Sequence, residues 1–280
     1  MERSILDVDL GGGFVLQYAN RDPYQMMGYL LKTPAGKTII IDGGRQEGAD
    51  AAYLHELILK EGGRVDLWLI THAHDDHFSA LSCILRDMDE LDFEIGDMRI
   101  CFPPAEWLKT VENGQPYDPA VEFLEGLQKH GIETTPLRRG DVIECGGLSI
   151  DVMHDCENYV NYRCVNDTGA VLRVHYPNRD ILFLADIEIP AAKEMMERYT
   201  PEQLRCDIVQ LAHHGQNGAH REFYELVRPK IALYTAPMWL WTNNGGTGPY
   251  KTMETAGGCR NWGSCSAVPT PTVIFCWCDL

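Results

Sequence analysis

Short apolar runs alternate along the chain with turn residues and with segments of helical periodicity. The runs at residues 14–16 and 26–31, followed by the turn Pro34-Ala35-Gly36 and the run at 38–41, predict a β-hairpin or meander. Residues 49–61 carry apolar side chains at the spacing of one helical face, which predicts a helix. The chain therefore opens with strands that lead into a helix.

The same alternation continues to about residue 235. Residues 65–70 predict a buried strand that runs directly into a polar turn at 71–77, and residues 78–85 begin a helix. Further strands are predicted at 98–102, 148–153, 170–174, 181–185, 208–211 and 231–235, and further helices at 119–130, 189–198 and 220–227. Two β-rich blocks that both carry helices predict an α/β sandwich of two sheets rather than two independent domains. We expect one domain over residues 1–280, with 238–280 an irregular C-terminal extension.

The composition limits the classes of partner. The 280 residues carry a net charge of −17 at pH 7, which disfavours binding to nucleic acid and favours a small-molecule substrate. No run approaches the roughly 18 apolar residues of a membrane span, and the N-terminus lacks a secretory signal, so we expect a cytoplasmic protein without a membrane contact. The oligomeric state is not predicted.

Ten cysteines are scattered from Cys83 to Cys278, and without an export signal they are expected to be buried, reduced thiols. The close pairs Cys276/Cys278 and Cys259/Cys265 lack the two-residue gap of a structural zinc knuckle. The cysteines therefore predict no metal site.

Five of the ten histidines form two clusters, each directly after a predicted buried strand. The clusters are His72/His74/His77 and His213/His214, and they can meet at one sheet edge. Two histidines two residues apart can chelate one metal, and the Asp and His that follow, where a helix begins, can serve a second. The spacing indicates two metals.

The motif His72-x-His74-x-Asp76-His77 resembles the HxHxDH signature of the metallo-β-lactamase superfamily. Three further segments resemble parts of that family. Residues 38–44 (TIIIDGG) resemble its strand and glycine loop, residues 183–186 (FLAD) resemble its strand that ends in a bridging Asp, and residues 211–215 (LAHHG) resemble a later metal-binding turn. The resemblance spans about residues 14–237. It is strongest to the branch that contains the hydrolase domain of competence DNA-uptake proteins and choline-phosphate esterases. It implies an αββα four-layer sandwich of two mixed β-sheets flanked by helices.

The resemblance also implies a dinuclear centre and its ligands. His72 and His74 hold one metal, Asp76, His77 and His214 hold the other, and Asp186 bridges them. Zinc is expected with these imidazole and carboxylate ligands, although manganese or iron fits the same set. Asp167 stands where the family usually has a histidine, and it either completes the first site, supports its ligands or is a plain turn residue.

Several assignments stay open. Only one of His213 and His214 is expected to be a ligand; His214 is favoured, with His213 facing the substrate as an acid or oxyanion contact. Asp186 could instead cap a helix. His154 is a weaker rival ligand. In the C-terminal stretch, Trp239 and Trp241 could form a lid or simply pack, and Tyr250 or Lys251 could replace a histidine that relatives place there.

The implied activity is metal-dependent hydrolysis, with Asp76, Asp186 and His213 as the catalytic residues. A metal-bound hydroxide would attack an ester carbonyl or phosphorus, so no protein nucleophile is needed. The chain has neither a GxSxG elbow nor a GK[ST] phosphate loop, and a di-iron relative would be expected to carry Glu in place of His74. We expect a small phosphodiester or carboxylic ester as substrate; the alternatives are a nuclease and a non-catalytic binding protein that retains the fold.

Overall fold

The computed structural model describes residues 3–18, 24–45, 50–252, 255 and 272–276. Within them, the strands form two seven-stranded sheets. The first sheet contains, in spatial order, β1 (Arg3–Ile5), β2 (Phe14–Tyr18), β3 (Gly28–Lys32), β4 (Thr38–Asp42), β5 (Arg64–Ile70), β6 (Glu94–Ile100) and β7 (Thr134–Pro136). The second contains, from the opposite edge, β8 (Val142–Cys145), β9 (Leu148–His154), β10 (Val171–His175), β11 (Asp180–Phe183), β12 (Ile208–Gln210), β13 (Ile231–Thr235) and β14 (Thr272–Cys276).

Both sheets are mixed. In the first, β1 to β4 pair antiparallel and β4 to β7 pair parallel. In the second, β8 to β11 pair antiparallel, β11 to β13 pair parallel, and β14 returns antiparallel to β13. The parallel strands of each sheet therefore bring their carboxyl ends to a common edge.

Helices cover the outer face of each sheet. The helices are α1 (Asp50–Lys60), α2 (Asp75–Asp87), α3 (Ala105–Leu108), α4 (Tyr117–Lys129), α5 (Ile189–Arg198), α6 (Pro201–Leu204), α7 (Arg221–Val227), α8 (Met238–Trp241) and α9 (Asn243–Gly246). Helices α1, α2 and α4 share a buried cluster with the first sheet, and α5 and α7 share another with the second. A third cluster lies between the sheets. The layers follow the order αββα, which confirms the predicted fold.

The strand periodicity explains this layering. Ile39 and Ile41 of β4 point into the core between the sheets, whereas Ile40 between them points to the helices. Successive side chains of a strand face opposite sides, so a run that is apolar throughout is buried on both faces. Strand β5 repeats this arrangement and ends at the polar turn that begins with Thr71.

The C-terminal stretch packs against the second sheet as far as it is described. The ring of Trp241 meets that of Tyr234 with centroids 4.6 Å apart, and Trp239 meets Tyr250 at 5.4 Å. These contacts agree with packing rather than a lid for the two tryptophans. Within the stretch predicted to be irregular, residues 272–276 form β14 beside β13.

The six cysteines whose side chains are described, from Cys83 to Cys206, are free thiols. Ala49, Cys259, Cys265 and Cys278 lie outside the described residues, so the helix start at 49 and the spacing of those cysteines stay predictions. No helix in the described part of the chain is both long and apolar enough to cross a bilayer.

Candidate metal centre

The predicted ligands follow strands from both sheets. Strand β5 ends at Ile70, and the turn that follows leads through His72 and His74 into α2, whose first turn holds Asp76 and His77. From the second sheet, Asp186 follows β11 and His214 lies in the 3₁₀ turn after β12. The polar residues in the loops of both sheets thus lie at one edge of the sandwich.

Four of these residues form a compact cluster. Asp76, His77, Asp186 and His214 are buried, and each offers a ligand atom within 4.8 Å of the others. Nε2 of His214 lies 3.1 Å from Oδ2 of Asp76 and 3.3 Å from Oδ2 of Asp186. Nε2 of His77 lies 3.3 Å from the same Asp186 oxygen. Asp186 therefore stands between the two imidazoles.

The free atoms of the cluster fit a divalent cation. Nε2 of His72 and Oδ1 of Asp186 are buried without a hydrogen-bond partner, and Nε2 of His77 and of His214 lies near carboxylate oxygens without the alignment of a hydrogen bond. Such unpaired polar atoms are costly in a protein interior, and imidazole nitrogen with carboxylate oxygen is a donor set that zinc, manganese and iron accept. The residues present therefore suit a metal centre.

The other ring nitrogens are held by hydrogen bonds that aim Nε2 inward. Nδ1 of His214 donates to the Thr235 carbonyl at 2.8 Å, and Nδ1 of His77 donates to Oδ2 of Asp42 at 2.7 Å. Partners of this kind fix the tautomer and orientation of metal-binding histidines. The sequence pattern includes Asp42 only as part of the TIIIDGG match and does not predict that Asp42 orients His77. Its position at the end of a buried strand is the one feature of the sequence that points to such a role.

His72 and His74 lie beside the four-residue cluster. The ring centroid of His72 lies 4.0 Å from that of His77 and 5.0 Å from that of His74. Nδ1 of His72 lies 3.1 Å from the Thr71 hydroxyl, which leaves Nε2 free. Nε2 of His74 is hydrogen-bonded to Glu112 at 3.0 Å, which leaves Nδ1 as its free nitrogen. The two histidines thus offer different ring atoms.

The structure places the other predicted site residues outside the cluster. Asp167 lies in a second group with Cys164 and Glu188, and its Oδ1 accepts from the backbone N–H groups of Glu188 and Ala191. His213 faces Glu188, with Nδ1 3.4 Å from Oε1. Both ring nitrogens of His154 are hydrogen-bonded, to the Gly169 carbonyl and the Tyr162 hydroxyl.

The sequence pattern predicts no functional role for three residues near this centre, namely Glu112, Asn166 and Glu188. The Asn166 side-chain amide donates to Glu188 at 3.0 Å, and Asn166 is buried. Asn166 stands directly before Asp167 in the turn where the family usually has a histidine, which was the signal available for it. Nothing in the local sequence marks Glu112 or Glu188.

Opposite charges set the ionisation of the buried groups. Burial alone would lower the pKa of His214, but Asp186 and Asp76 raise it to about 10. Burial would also lower the pKa of His77, but the negative charges of Asp186 and Asp42 hold this pKa well above its usual value. The two histidines in turn hold the pKa of Asp186 well below its usual range, against the effect of burial. These opposing shifts in pKa favour the charged forms of the histidines and carboxylates when no metal is bound.

Left-handed backbone conformations concentrate at this edge. Asp42 (φ 60°), Ala185 (φ 49°), His213 (φ 51°) and His214 (φ 53°) adopt positive φ although none is a glycine. Such residues cost on the order of 1 kcal/mol or more each and cluster at functional sites. The strained positions immediately flank or form the ligand set, which agrees with a functional role for this edge.

Comparisons with known proteins find a family model and a curated protein similar to this chain. Residues 22–86, which include the HxHxDH motif, match the family model described as the metallo-beta-lactamase superfamily. The uncharacterized protein YcaI of Escherichia coli K12 is 24% identical over 230 residues, which cover 82% of this chain and 24% of YcaI. The chain thus matches only about a quarter of the length of that curated relative.

Two solved structures are among those that the chain is similar to. CmlA, a diiron β-hydroxylase from Streptomyces venezuelae, is 17% identical, with a TM-score of 0.49 over 88% of this chain and 49% of CmlA. A diphosphatase from the PhnP family is 18% identical, with a TM-score of 0.42 over 76% of this chain and 75% of the other. Similarity at this level transfers neither activity to this chain. Residues 22–86 are thus similar to the metallo-beta-lactamase superfamily, and the chain has two mixed sheets flanked by helices with a buried His/Asp cluster at one edge.

Proposed function

We propose that the protein is a metal-dependent hydrolase that cleaves an ester-type bond in a small phosphodiester or carboxylic ester. The observation that carries this proposal is the buried cluster of Asp76, His77, Asp186 and His214, whose ligand atoms lie within 4.8 Å of one another. Two divalent ions bound at this centre would lower the pKa of a water molecule and stabilise the negative charge that develops on the substrate.

The side chains divide into two groups of ligands. His72 through Nε2 and His74 through Nδ1 would hold the first ion, whereas Asp76, His77 and His214 would hold the second. Asp186 would bridge the two, because its Oδ2 contacts His77 and His214 while its Oδ1 has no partner. Zinc is the metal we propose, with manganese and iron compatible with the same donors.

His213 is proposed to act on the substrate rather than on the metals. Its side chain keeps 18% of its surface exposed, and Glu188 lies beside Nδ1. The neighbouring carboxylate orients the His213 ring, and we propose that the ring acts as an acid or oxyanion contact for the substrate. Asp167 is proposed to support the site through the N-terminus of α5.

The charge distribution supports a small substrate. The chain carries −17 overall, and its only adjacent pair of basic residues is Arg138-Arg139. The Arg139 side chain is already engaged by acidic groups, with distances of 3.2 Å to Glu157 and 3.5 Å to Glu194. A small ester needs no extended basic surface, whereas a polynucleotide does.

Metal analysis combined with a substrate panel tests this proposal. The protein is reconstituted with zinc or manganese, assayed for bound metal, and offered a phosphodiester, a phosphomonoester, a lactone and a thioester. We expect about two metals per chain and turnover of at least one ester. A metal content near zero would contradict the hydrolase, and two metals without turnover of any substrate would favour the binding protein.

A further inference from the structure

We infer that Glu112 is a positioning residue of the metal centre, which holds the His74 ring so that Nδ1 faces the first metal. This inference rests on the proposed function, since it requires a metal beside His74. Glu112 lies outside every motif by which the chain resembles the family, in the segment between α3 and α4.

The Glu112 carboxylate joins two turns that carry site residues. Its Oε2 lies 3.0 Å from Nε2 of His74, and its Oε1 accepts from the backbone N–H of Val165 at 2.8 Å. His74 belongs to the HxHxDH turn, and Val165 directly precedes the 3₁₀ turn Asn166–Thr168. One side chain therefore fixes these two turns relative to each other.

The hydrogen-bond chemistry requires a carboxylate at this position. The Val165 N–H is a donor, and His74 is also a donor at Nε2 when its Nδ1 lone pair is left for a metal. An ionised carboxylate is an acceptor at both oxygens, whereas a glutamine amide has only one acceptor oxygen. Gln at position 112 would leave one of the two donors unpaired or turn the His74 ring.

The local backbone holds Glu112 in place at an energetic cost. Glu112 (φ 50°), Asn113 (φ 58°) and Gly114 (φ 76°) are three consecutive residues with left-handed conformations. The preceding residue, Val111, is buried against the first sheet and its helices, which anchors the segment. Strain of this kind persists where surrounding contacts impose it.

The pair is less exposed than the contact between His55 and Asp92. The His74 and Glu112 side chains are 21% and 31% exposed, whereas Asp92, the partner of His55, is 51% exposed. The pair resembles the contact between His77 and Asp42, in which the Asp42 carboxylate accepts a hydrogen bond from Nδ1 of His77. Each proposed metal thus has one histidine ligand that is oriented by a carboxylate, an arrangement that raises ligand basicity and fixes the ring.

Cobalt titration tests the inference with a readout independent of catalysis. Metal-free wild type, Glu112→Gln and the control Glu106→Gln are titrated with Co²⁺ and followed by visible absorption. Glu106 lies in α3, six residues before Glu112, is 84% exposed and pairs only with Lys109 among the described residues. We expect two binding events in wild type and in Glu106→Gln. In Glu112→Gln one event should weaken by about 10–100-fold, with a changed spectrum, while the other stays as it was.

The outcomes separate the two claims. Wild type that binds no cobalt would overturn both the hydrolase and this inference. Cobalt binding that is identical in wild type and Glu112→Gln would overturn the role of Glu112 alone. If Glu112→Gln does not fold, ¹⁵N NMR of the zinc-loaded wild type decides the matter: we expect His74 to carry its proton on Nε2, and a proton on Nδ1 would overturn the inference.

Discussion

Single hydrogen bonds decide which atom each histidine offers at this site. The Thr235 carbonyl and the Asp42 carboxylate accept hydrogen bonds from Nδ1 of His214 and of His77, so Nε2 of each ring remains for a metal. Glu112 is hydrogen-bonded to Nε2 of His74, so Nδ1 of that ring remains for a metal. The spacing of the HxHxDH motif predicts the ligand types, but the partners that set the ring orientation come from distant segments.

Asp186 is the residue on which both proposed metals depend. We expect Asp186→Ala to lose both metals and at least about 100-fold in activity, because even a residue that only supports a ligand typically contributes 10–100-fold. The control is Asp75→Ala, since Asp75 is a neighbour of the ligands that pairs with Arg45 at the surface. Metal content and steady-state rates check both variants. Equal activity losses, with two metals retained in Asp186→Ala, would show that the ligand assignment is wrong.

Metal binding should release protons at pH 7. His214, with its pKa raised to about 10, and His77, with a pKa well above its usual value, are protonated in the metal-free protein. Each must lose its proton to bind a metal, so metal affinity should rise with pH until the pH passes these pKa values. Calorimetric titration with zinc in two buffers of different ionisation enthalpy measures the release. An enthalpy that is independent of the buffer would contradict the expected protonation.

The same raised pKa values also affect the metal-free fold. A histidine whose pKa is higher in the folded state stabilises the fold below its unfolded pKa, near 6.5. For His214 this contribution is lost as the pH rises through about 10.

At the scale of secondary-structure elements, the sequence predicts the buried strands well and the partly or fully exposed strands poorly. Strand β4 is buried throughout, and its bounds agree with the predicted run at 38–41 to within a residue. Strand β6 begins at Glu94, four residues earlier than predicted, because its first half alternates exposed acidic or small residues with half-buried ones. Strand β7 is exposed at all three positions and carries no hydrophobic signal. Backbone pairing with β6, rather than side-chain burial, defines it.

The same distinction applies to the site. The cluster at residues 72–77 is local in the sequence, so the spacing alone predicts its role. Glu112 and Asp42 reach their partners across 38 and 35 residues, and only the fold brings these pairs together. Pattern analysis of one chain cannot register such pairs, since neither residue belongs to a periodic or repeated spacing.

Asp167 should affect the stability of one helix more than metal content. Its Oδ1 accepts from two backbone N–H groups at the start of α5, Glu188 and Ala191. We expect Asp167→Ala to lower the free energy of unfolding by about 1 kcal/mol, as for other lost helix caps, while Asp167→Asn, which keeps an acceptor oxygen, loses less. Urea denaturation and metal content measure the two effects. Loss of one metal in Asp167→Ala, with little change in stability, would instead favour the ligand role that the resemblance implies.

At the scale of the whole molecule, the candidate centre joins the two sheets. The HxHxDH turn follows β5 of the first sheet, while Asp186 and His214 follow β11 and β12 of the second. The ligands therefore come together only when the core between the sheets has formed. Metal binding and folding are coupled in such an arrangement, because a metal ion that binds only the folded state stabilises that state.

The overall charge leads to a prediction about the size of the substrate. The net charge of −17 opposes the approach of a polyanion, and two divalent cations would leave the chain strongly anionic. At about 0.15 M salt these surface fields are screened beyond roughly 8 Å, so a small ester with one or two negative charges can still reach the metals. A polynucleotide must instead place many phosphates against a strongly anionic chain whose sequence has only one adjacent pair of basic residues, Arg138-Arg139.

We therefore expect the zinc-loaded protein to hydrolyse a small phosphodiester or carboxylic ester and to show no binding to single-stranded DNA at micromolar concentrations in that salt. Fluorescence anisotropy of a labelled oligonucleotide measures binding, and gel analysis of the same oligonucleotide measures cleavage. Asp186→Ala serves as the control, because any cleavage that survives in this variant comes from a contaminant. Tight binding or processive cleavage by the wild type would overturn the small-substrate proposal and favour the nuclease alternative, because the metal centre would then be attracting phosphates strongly enough to overcome the charge of the whole chain.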